Sequence, residues 1–228
     1  PALMMLEKLG YTYLSPAEVM ELRGGNTSNV LLEPILRNQL RNINTVQVSS
    51  QRTTVFSEQN VSAGIEALRN LPMSEGYMTA SQTAYDLLTA GKTLEQIVDG
   101  DKKSYVMQYI DWNNIEKNVF HVTEEFAVSS TGMTDTYRPD IVLFVNGIPL
   151  CVIECKRPDI KDSLKQAISQ HLRNQKEDGI RSLYVYSALL LATNVNDVSY
   201  ATTATPEKFW SKWTEQFADK NAEELYGY

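Results

Sequence analysis

Residues 137 to 158, Tyr-Arg-Pro-Asp-Ile-Val-Leu-Phe-Val-Asn-Gly-Ile-Pro-Leu-Cys-Val-Ile-Glu-Cys-Lys-Arg-Pro, constrain this chain more than any other stretch. Two apolar runs, 141 to 145 and 148 to 153, flank Asn146-Gly147. Both turn residues tolerate φ > 0, the backbone requirement of a tight β-hairpin turn. Charge appears only at the ends: Asp140 before the first strand, Glu154 and Lys156 at the end of the second. Side chains alternate along a strand, so Glu154 and Lys156 share one face and Cys155 points to the other. A carboxylate and an amine at the end of a buried strand are costly unless paired or used. Together with Asp140 they form an edge able to hold a divalent cation and a water beside a phosphate.

Register sets a condition on that edge. A strict two-residue turn at Asn146-Gly147 pairs Asp140 with Ile153 and turns Glu154 to the opposite face. For Asp140 and Glu154 to share a face the pairing must slip by one residue. The sequence therefore predicts a three-residue loop, a β-bulge or splayed strand ends. A regular two-residue hairpin would turn Asp140 away and dissolve the site.

The rest of the chain reads as an α/β or α+β sheet flanked by helices. A short helix is expected near Leu3 to Leu9, with breaks at Ser15-Pro16 and Gly24-Gly25. A helix follows to about Ile43, with Pro34 in its first turn, where a missing N–H costs nothing. Residues 45 to 53 suit a strand. Helical patterns at 57 to 70 and 81 to 90 make residues 57 to 100 a helical insertion, with Gly91 closing the second helix. Strands follow near 103 to 110 and 119 to 128, then a polar loop from Ser129 to Asp135. Ser163-Leu-Lys-Gln166 reads as a capping box that starts a helix to about Lys176. Leu183 to Thr193, apolar almost throughout, suits a central or parallel strand, and Val198 to Thr202 another. A C-terminal helix is expected over 206 to 226, carrying Phe209, Trp210, Trp213 and Phe217.

With 228 residues and 43% hydrophobic content, the chain can bury the core of one large domain. A chain that opens on Pro1 reads as a fragment of a longer protein. It has neither the ~18-residue apolar run of a membrane span nor a signal-peptide pattern. Cys151 and Cys155 lie roughly 13 Å apart along one strand, too far for a disulfide there. Reduced thiols suit the cytoplasm. The net charge of −7 argues against autonomous DNA binding.

Pro139-Asp140 followed by Glu154-Cys155-Lys156 resembles the PD-(D/E)xK nuclease motif, a loose pattern by itself. The context is more specific. Arg138 to Pro158, Tyr109-Ile-Asp-Trp-Asn113 and Leu31 to Asn44 resemble the N-terminal nuclease domain of the R (restriction and motor) subunit of type I restriction–modification enzymes. The resemblance covers residues 9 to 215. It implies a restriction-endonuclease-like mixed central sheet and a Mg²⁺-dependent endonuclease acting on double-stranded DNA. Asp140 and Glu154 are the expected metal ligands, with the backbone carbonyl of Cys155, and Lys156 is the expected charge-neutralising or water-orienting group. Gln170 matches the Gln of a Gln-x-x-x-Tyr motif that supports the site in this family, whereas Asn174 stands where Tyr is expected. ATP would be used by translocase domains outside this chain. Methyltransferase and specificity subunits are the implied partners, the location cytoplasmic. Two rivals compete: a docking module of the same fold with a vestigial site, and a repair or resolvase nuclease of the same superfamily.

The remaining candidates have plainer readings. Glu33 suits a carboxylate at the positive end of a helix, although some nucleases of this superfamily place an acid there. His121 and His171 read as structural, and Trp210 and Trp213 as core packing. Ala90-Gly91-Lys92-Thr93 imitates the tail of a phosphate-binding loop, but Asp86 occupies the position of the required upstream Gly. It reads as a helix end followed by a polar turn.

Overall fold

The computed structural model describes residues 2–49, 51–132, 135–194 and 196–214. Helix α1 (Ala2–Lys8) leads to the short strand β1 (Thr12–Tyr13). Ser15 then caps α2 (Pro16–Leu22): its Oγ accepts from the Glu18 amide, and the Glu18 carboxylate accepts from the Ser15 amide. The expected break at Ser15-Pro16 is thus a capping box with proline in the first turn. Helix α3 (Glu33–Ile43) also carries its proline in the first turn. β2 (Val46–Ser49) and β3 (Arg52–Thr54) form a hairpin. α4 (Glu58–Arg69) is capped by Ser57, and α5 (Tyr77–Ala90) ends at Gly91, φ 77°.

The helical reading of 57 to 100 fails past Gly91. β4 (Lys92–Val98) pairs with β5 (Asp101–Met107) around Asp99-Gly100, both at positive φ. Lys92 therefore opens a strand rather than a polar turn. β6 (Phe120–Glu124) ends at Glu125, whose φ of 49° breaks the expected longer strand. β7 (Val128–Ser129) and β8 (Thr136–Tyr137) form a small ladder. The central hairpin is β9 (Ile141–Val145) and β10 (Ile148–Cys155).

Asp162, in the left-handed region, rather than Ser163, occupies the N-cap position of helix α6 (Ser163–Asn174), and its side chain makes no capping hydrogen bond. The Ser163 hydroxyl instead accepts from the Asn194 amide, and the Gln166 amide donates to the Lys161 carbonyl, so the expected capping box does not form. The apolar run from Leu183 divides into α7 (Arg181–Tyr184) and β11 (Leu189–Thr193), followed by β12 (Val198–Ala201). Apolarity alone does not separate a buried helix from a buried strand. Where a C-terminal helix was expected to begin, a 3-10 turn (Glu207–Phe209) precedes β13 (Ser211–Lys212), which pairs with β12. The rest of that expected helix, Phe217 included, lies outside the described residues.

Seven strands form one mixed sheet in the order β1-β6-β9-β10-β11-β12-β13. β10 and β11 are parallel, as the apolar run implied, with α6 and α7 in the connection between them. Alternation along the strands splits the core. Val142, Phe144, Val152 and Leu190 face α3, α4 and α5, while Ile141, Leu143, Cys151 and Ile153 face α1 and Tyr13. Ala192 meets Ala167 and Ile168 of α6. Helices on both faces of a mixed sheet make this a restriction-endonuclease-like α/β fold.

The hairpin turn is buried. Asn146 is fully enclosed, and the Leu32 amide donates to the Gly147 carbonyl at 2.9 Å, seating the start of α3 on the turn. Gly147 has φ 83°, and a Cβ there would stand 2.6 Å from the Leu32 carbonyl oxygen. Gly147→Ala should therefore cost about 2 kcal/mol or more, from backbone strain and from displacing α3. A urea melt of the variant reads this directly. An unchanged midpoint would mean that α3 moves aside freely.

Candidate functional site

The β9–β10 register satisfies the condition set by the sequence. Next to the turn, Ile148 pairs with Val145 and Pro149 with Phe144, as a two-residue hairpin requires. Beyond a bulge between Pro149 and Cys151 the pairing has slipped by one, so that Ile153 faces Ile141. Of the three expected solutions the chain uses a bulge. Pro149 carries no amide hydrogen for the ladder, which suits it to an irregular position.

The slip brings the charged residues together. The Cys155 amide donates to Asp140 Oδ2 at 2.6 Å. Lys156 Nζ lies 2.7 Å from Gln170 Oε1 and 3.8 Å from Asp140 Oδ2. Glu154 is fully buried, and the Asn174 amide approaches its Oε1 at 3.5 Å, while among the described residues no donor reaches Oε2. Burial pushes the Glu154 carboxyl up to about 9, the Asp140 charge and a hydrogen bond shared with the Asp140 carboxyl add to the rise, and Lys156 opposes it. The Cys155 side chain points the other way, against the α1-side core. Burial pushes its thiol up to about 11 and that of Cys151 to about 12; both are free.

Donor chemistry tests whether a hard cation fits here. Among the described residues no three His, Cys, Asp or Glu side chains stand close enough to hold a metal ion together. A cluster of zinc type is therefore not formed by them. Mg²⁺ differs, since it is bound through one or two carboxylates and keeps several waters. Two carboxylates, one with a buried and unpartnered oxygen, fit that requirement. An unpaired buried carboxylate oxygen is otherwise expensive.

Asp140, Glu154, Lys156 and Gln170 thus converge, whereas the secondary candidates lie elsewhere. Glu33 forms a bidentate pair with Arg69 and accepts from the Asn29 amide. That pair lines a cleft of about 430 Å³ which shares no residue with the converged group. The carboxylates sit at a strand end open to solvent through Asp140 and Lys156 rather than in that cleft. His121 lies on β6 with its Nδ1 buried and unpartnered. His171 is a buried residue of α6, its ring 5.3 Å from Trp210. Trp213 departs from the core-packing expectation, being half-exposed and stacked edge-on to Tyr200. Sequence reasoning did not find Tyr184, whose hydroxyl stands 3.0 Å from His171 Nδ1 and 3.5 Å from the Asn174 amide. The run that contains it reads as strand, which hides the helical turn that aims it at α6.

The sheet is restriction-endonuclease-like, and an Asp, a Glu and a Lys stand together at one of its strand ends. Comparison with known proteins agrees: the family described as Type I restriction enzyme R protein N terminus (HSDR_N) matches residues 1–209. The chain belongs to that family. A putative type I restriction enzyme MjaIXP endonuclease subunit from Methanocaldococcus jannaschii is 27% identical over 93% of the chain and 19% of its own length. The putative MjaVIIIP endonuclease subunit of the same organism is 31% identical over 81% of the chain and 16% of its own length. The HindI endonuclease subunit of Haemophilus influenzae is 28% identical over 84% and 17%. The chain spans less than a fifth of each of these relatives. Among its described residues no helix is long and apolar enough to cross a membrane.

Proposed function

We propose that this chain is the Mg²⁺-dependent endonuclease domain of a type I restriction enzyme R subunit, hydrolysing phosphodiester bonds in double-stranded DNA. The observation that carries the reading is the bulge-enforced convergence of Asp140, Glu154 and Lys156, with Gln170 holding the lysine. Asp140, Glu154 and the Cys155 carbonyl would hold the ion. When bound, the ion supplies Lewis-acid polarisation of the phosphate and an activated water. Gln170 accepts from the Lys156 ammonium and aims it past Asp140 toward the open edge, where it would stabilise charge growing on the phosphate. Asp140, tied to the Cys155 amide, is oriented before substrate arrives. Water adds to phosphorus as the bond to the leaving sugar oxygen breaks.

In this reading ATP-driven translocation belongs to the remainder of the R subunit, and methyltransferase and specificity subunits locate the target. The net charge of −7 supports DNA being held largely by other parts of the cytoplasmic assembly.

Plasmid cleavage by the full-length subunit with its partners, ATP and Mg²⁺ tests the proposal, comparing wild type with Lys156→Ala while following ATPase in the same tubes. Cleavage should fall at least about a hundredfold with ATPase retained. Cleavage retained in the variant would remove this site as the cutter and leave a docking role.

A further inference from the structure

Behind Glu154 runs a chain of polar groups whose hydrogen-bond directions are fixed from its far end. It starts at the Leu191 carbonyl on β11, which accepts only. His171 Nε2 lies 2.9 Å from that oxygen and must carry the hydrogen. The opposite tautomer would press two lone pairs together. His171 is fully buried, and burial lowers its pKa to about 4, so near neutral pH the ring is uncharged and Nδ1 is an acceptor. The Tyr184 hydroxyl, 3.0 Å away, therefore donates to Nδ1 and keeps its oxygen as an acceptor. Asn174 comes next. Its Oδ1 faces the Arg173 guanidinium at 3.2 Å, which directs Nδ2 the other way. That nitrogen has two hydrogens and two acceptors at 3.5 Å, the Tyr184 oxygen and Glu154 Oε1. The chain is spent there, and among the described residues no donor reaches Oε2.

We infer that His171, Tyr184 and Asn174 are positioning residues that pin Glu154 through Oε1 and leave Oε2 for a divalent cation. The inference rests on the proposed function, since it assigns the free oxygen to the ion that reading requires. The three residues touch neither ion nor DNA; they act through Glu154. Removing a hydrogen-bond partner of a metal ligand typically lowers metal affinity by about 10- to 100-fold. Tyr184→Phe deletes one hydroxyl and keeps the ring.

The test is Mn²⁺ binding to the full-length protein without nucleotide, read by electron paramagnetic resonance of the free ion. Glu154→Ala defines the binding that occurs elsewhere in the protein. Tyr184→Phe should weaken the Glu154-dependent Mn²⁺ binding about tenfold. Asn174→Leu, one link nearer to Glu154, should do at least as much and serves if Tyr184→Phe does not fold. The double variant should bind no more weakly than Asn174→Leu alone, because the link is already broken. Unchanged affinity in Tyr184→Phe, or losses that add in the double variant, would overturn this inference alone. If wild type binds no more Mn²⁺ than Glu154→Ala, the proposed function falls with it.

Discussion

Glu154→Gln is expected to make the metal-free protein more stable at pH 8 and, if the proposed endonuclease function holds, to cost it DNA cleavage. The folded Glu154 carboxyl is pushed up to about 9, chiefly by burial and then by Asp140, against an ordinary value near 4.5. Between those two values the folded chain holds a proton that the unfolded chain has released. Stability therefore falls as pH rises through this window. The accumulated cost near pH 8 is on the order of a few kcal/mol. Glutamine keeps the size and never ionises, so the variant should gain roughly 2 kcal/mol there, or about 4 to 8 °C in Tm. The gain should shrink toward zero at pH 5. If Glu154 holds Mg²⁺ as proposed, saturating Mg²⁺ should narrow the gap, because the ion stabilises only the protein that binds it. On the proposed function, the corresponding loss of cleavage should be about a thousandfold or more, since the proposed ligand set would drop to one carboxylate. Melts from pH 5 to pH 9, with and without Mg²⁺, check each part. Parallel stability profiles for the two proteins would mean that Glu154 titrates normally and is not desolvated as the structure implies.

The hairpin and its charged edge were legible in the sequence because they rest on local rules. Asn146-Gly147 permits the turn, and strict alternation assigns each side chain a face. The need for Asp140 and Glu154 to share a face then called for an irregularity, and the bulge at Pro149/Cys151 supplies it. What could not be read depends on tertiary competition. Leu183 to Thr193 is apolar for two reasons, a buried helical turn and then a parallel strand, and one apolar run cannot report both. Ser163 has the spacing of a cap, but Asn194 claims its hydroxyl from another element. The aromatic residues at 209, 210 and 213 imitate a helical stripe, yet Trp210 packs on His171 while Trp213 packs on Tyr200. One signal was present and missed. Asp99-Gly100 between alternating segments is a hairpin signature of the same kind as Asn146-Gly147. Both glycines have positive φ, at 88° and 83°.

Asn146→Ala should remove a large share of the stability of the fold, because this turn residue serves as an internal junction. Its Oδ1 accepts from the Val119 amide at 2.9 Å and from the Gln39 side chain at 3.1 Å. Its Nδ2 donates to the Tyr109 carbonyl at 2.9 Å and to Asn118 Oδ1 at 2.7 Å. Three of the four bonds are buried and the one from Val119 is part-buried; together they tie α3, the segment just after β5 and the approach to β6 to the central hairpin. Alanine leaves the four partners without Asn146, and each polar group left unpaired in the interior costs about 1 to 3 kcal/mol. Gln39 and Asn118 keep other contacts, to the Lys117 carbonyl and the Asp111 backbone, which limits their share. The backbone adds to the loss, since φ at residue 146 is 53°, a region that Asn tolerates better than Ala. About 4 kcal/mol in total is expected, against the 5 to 15 kcal/mol typical of a folded domain, with Tm lowered by roughly 8 to 16 °C. Asn146→Gly separates the two causes, for glycine accepts the backbone angle and lacks the amide. If the network dominates, the glycine variant recovers no more than about 1 kcal/mol relative to alanine. A glycine variant as stable as wild type would show that the turn needed only its backbone angle and that the four bonds contribute nothing net.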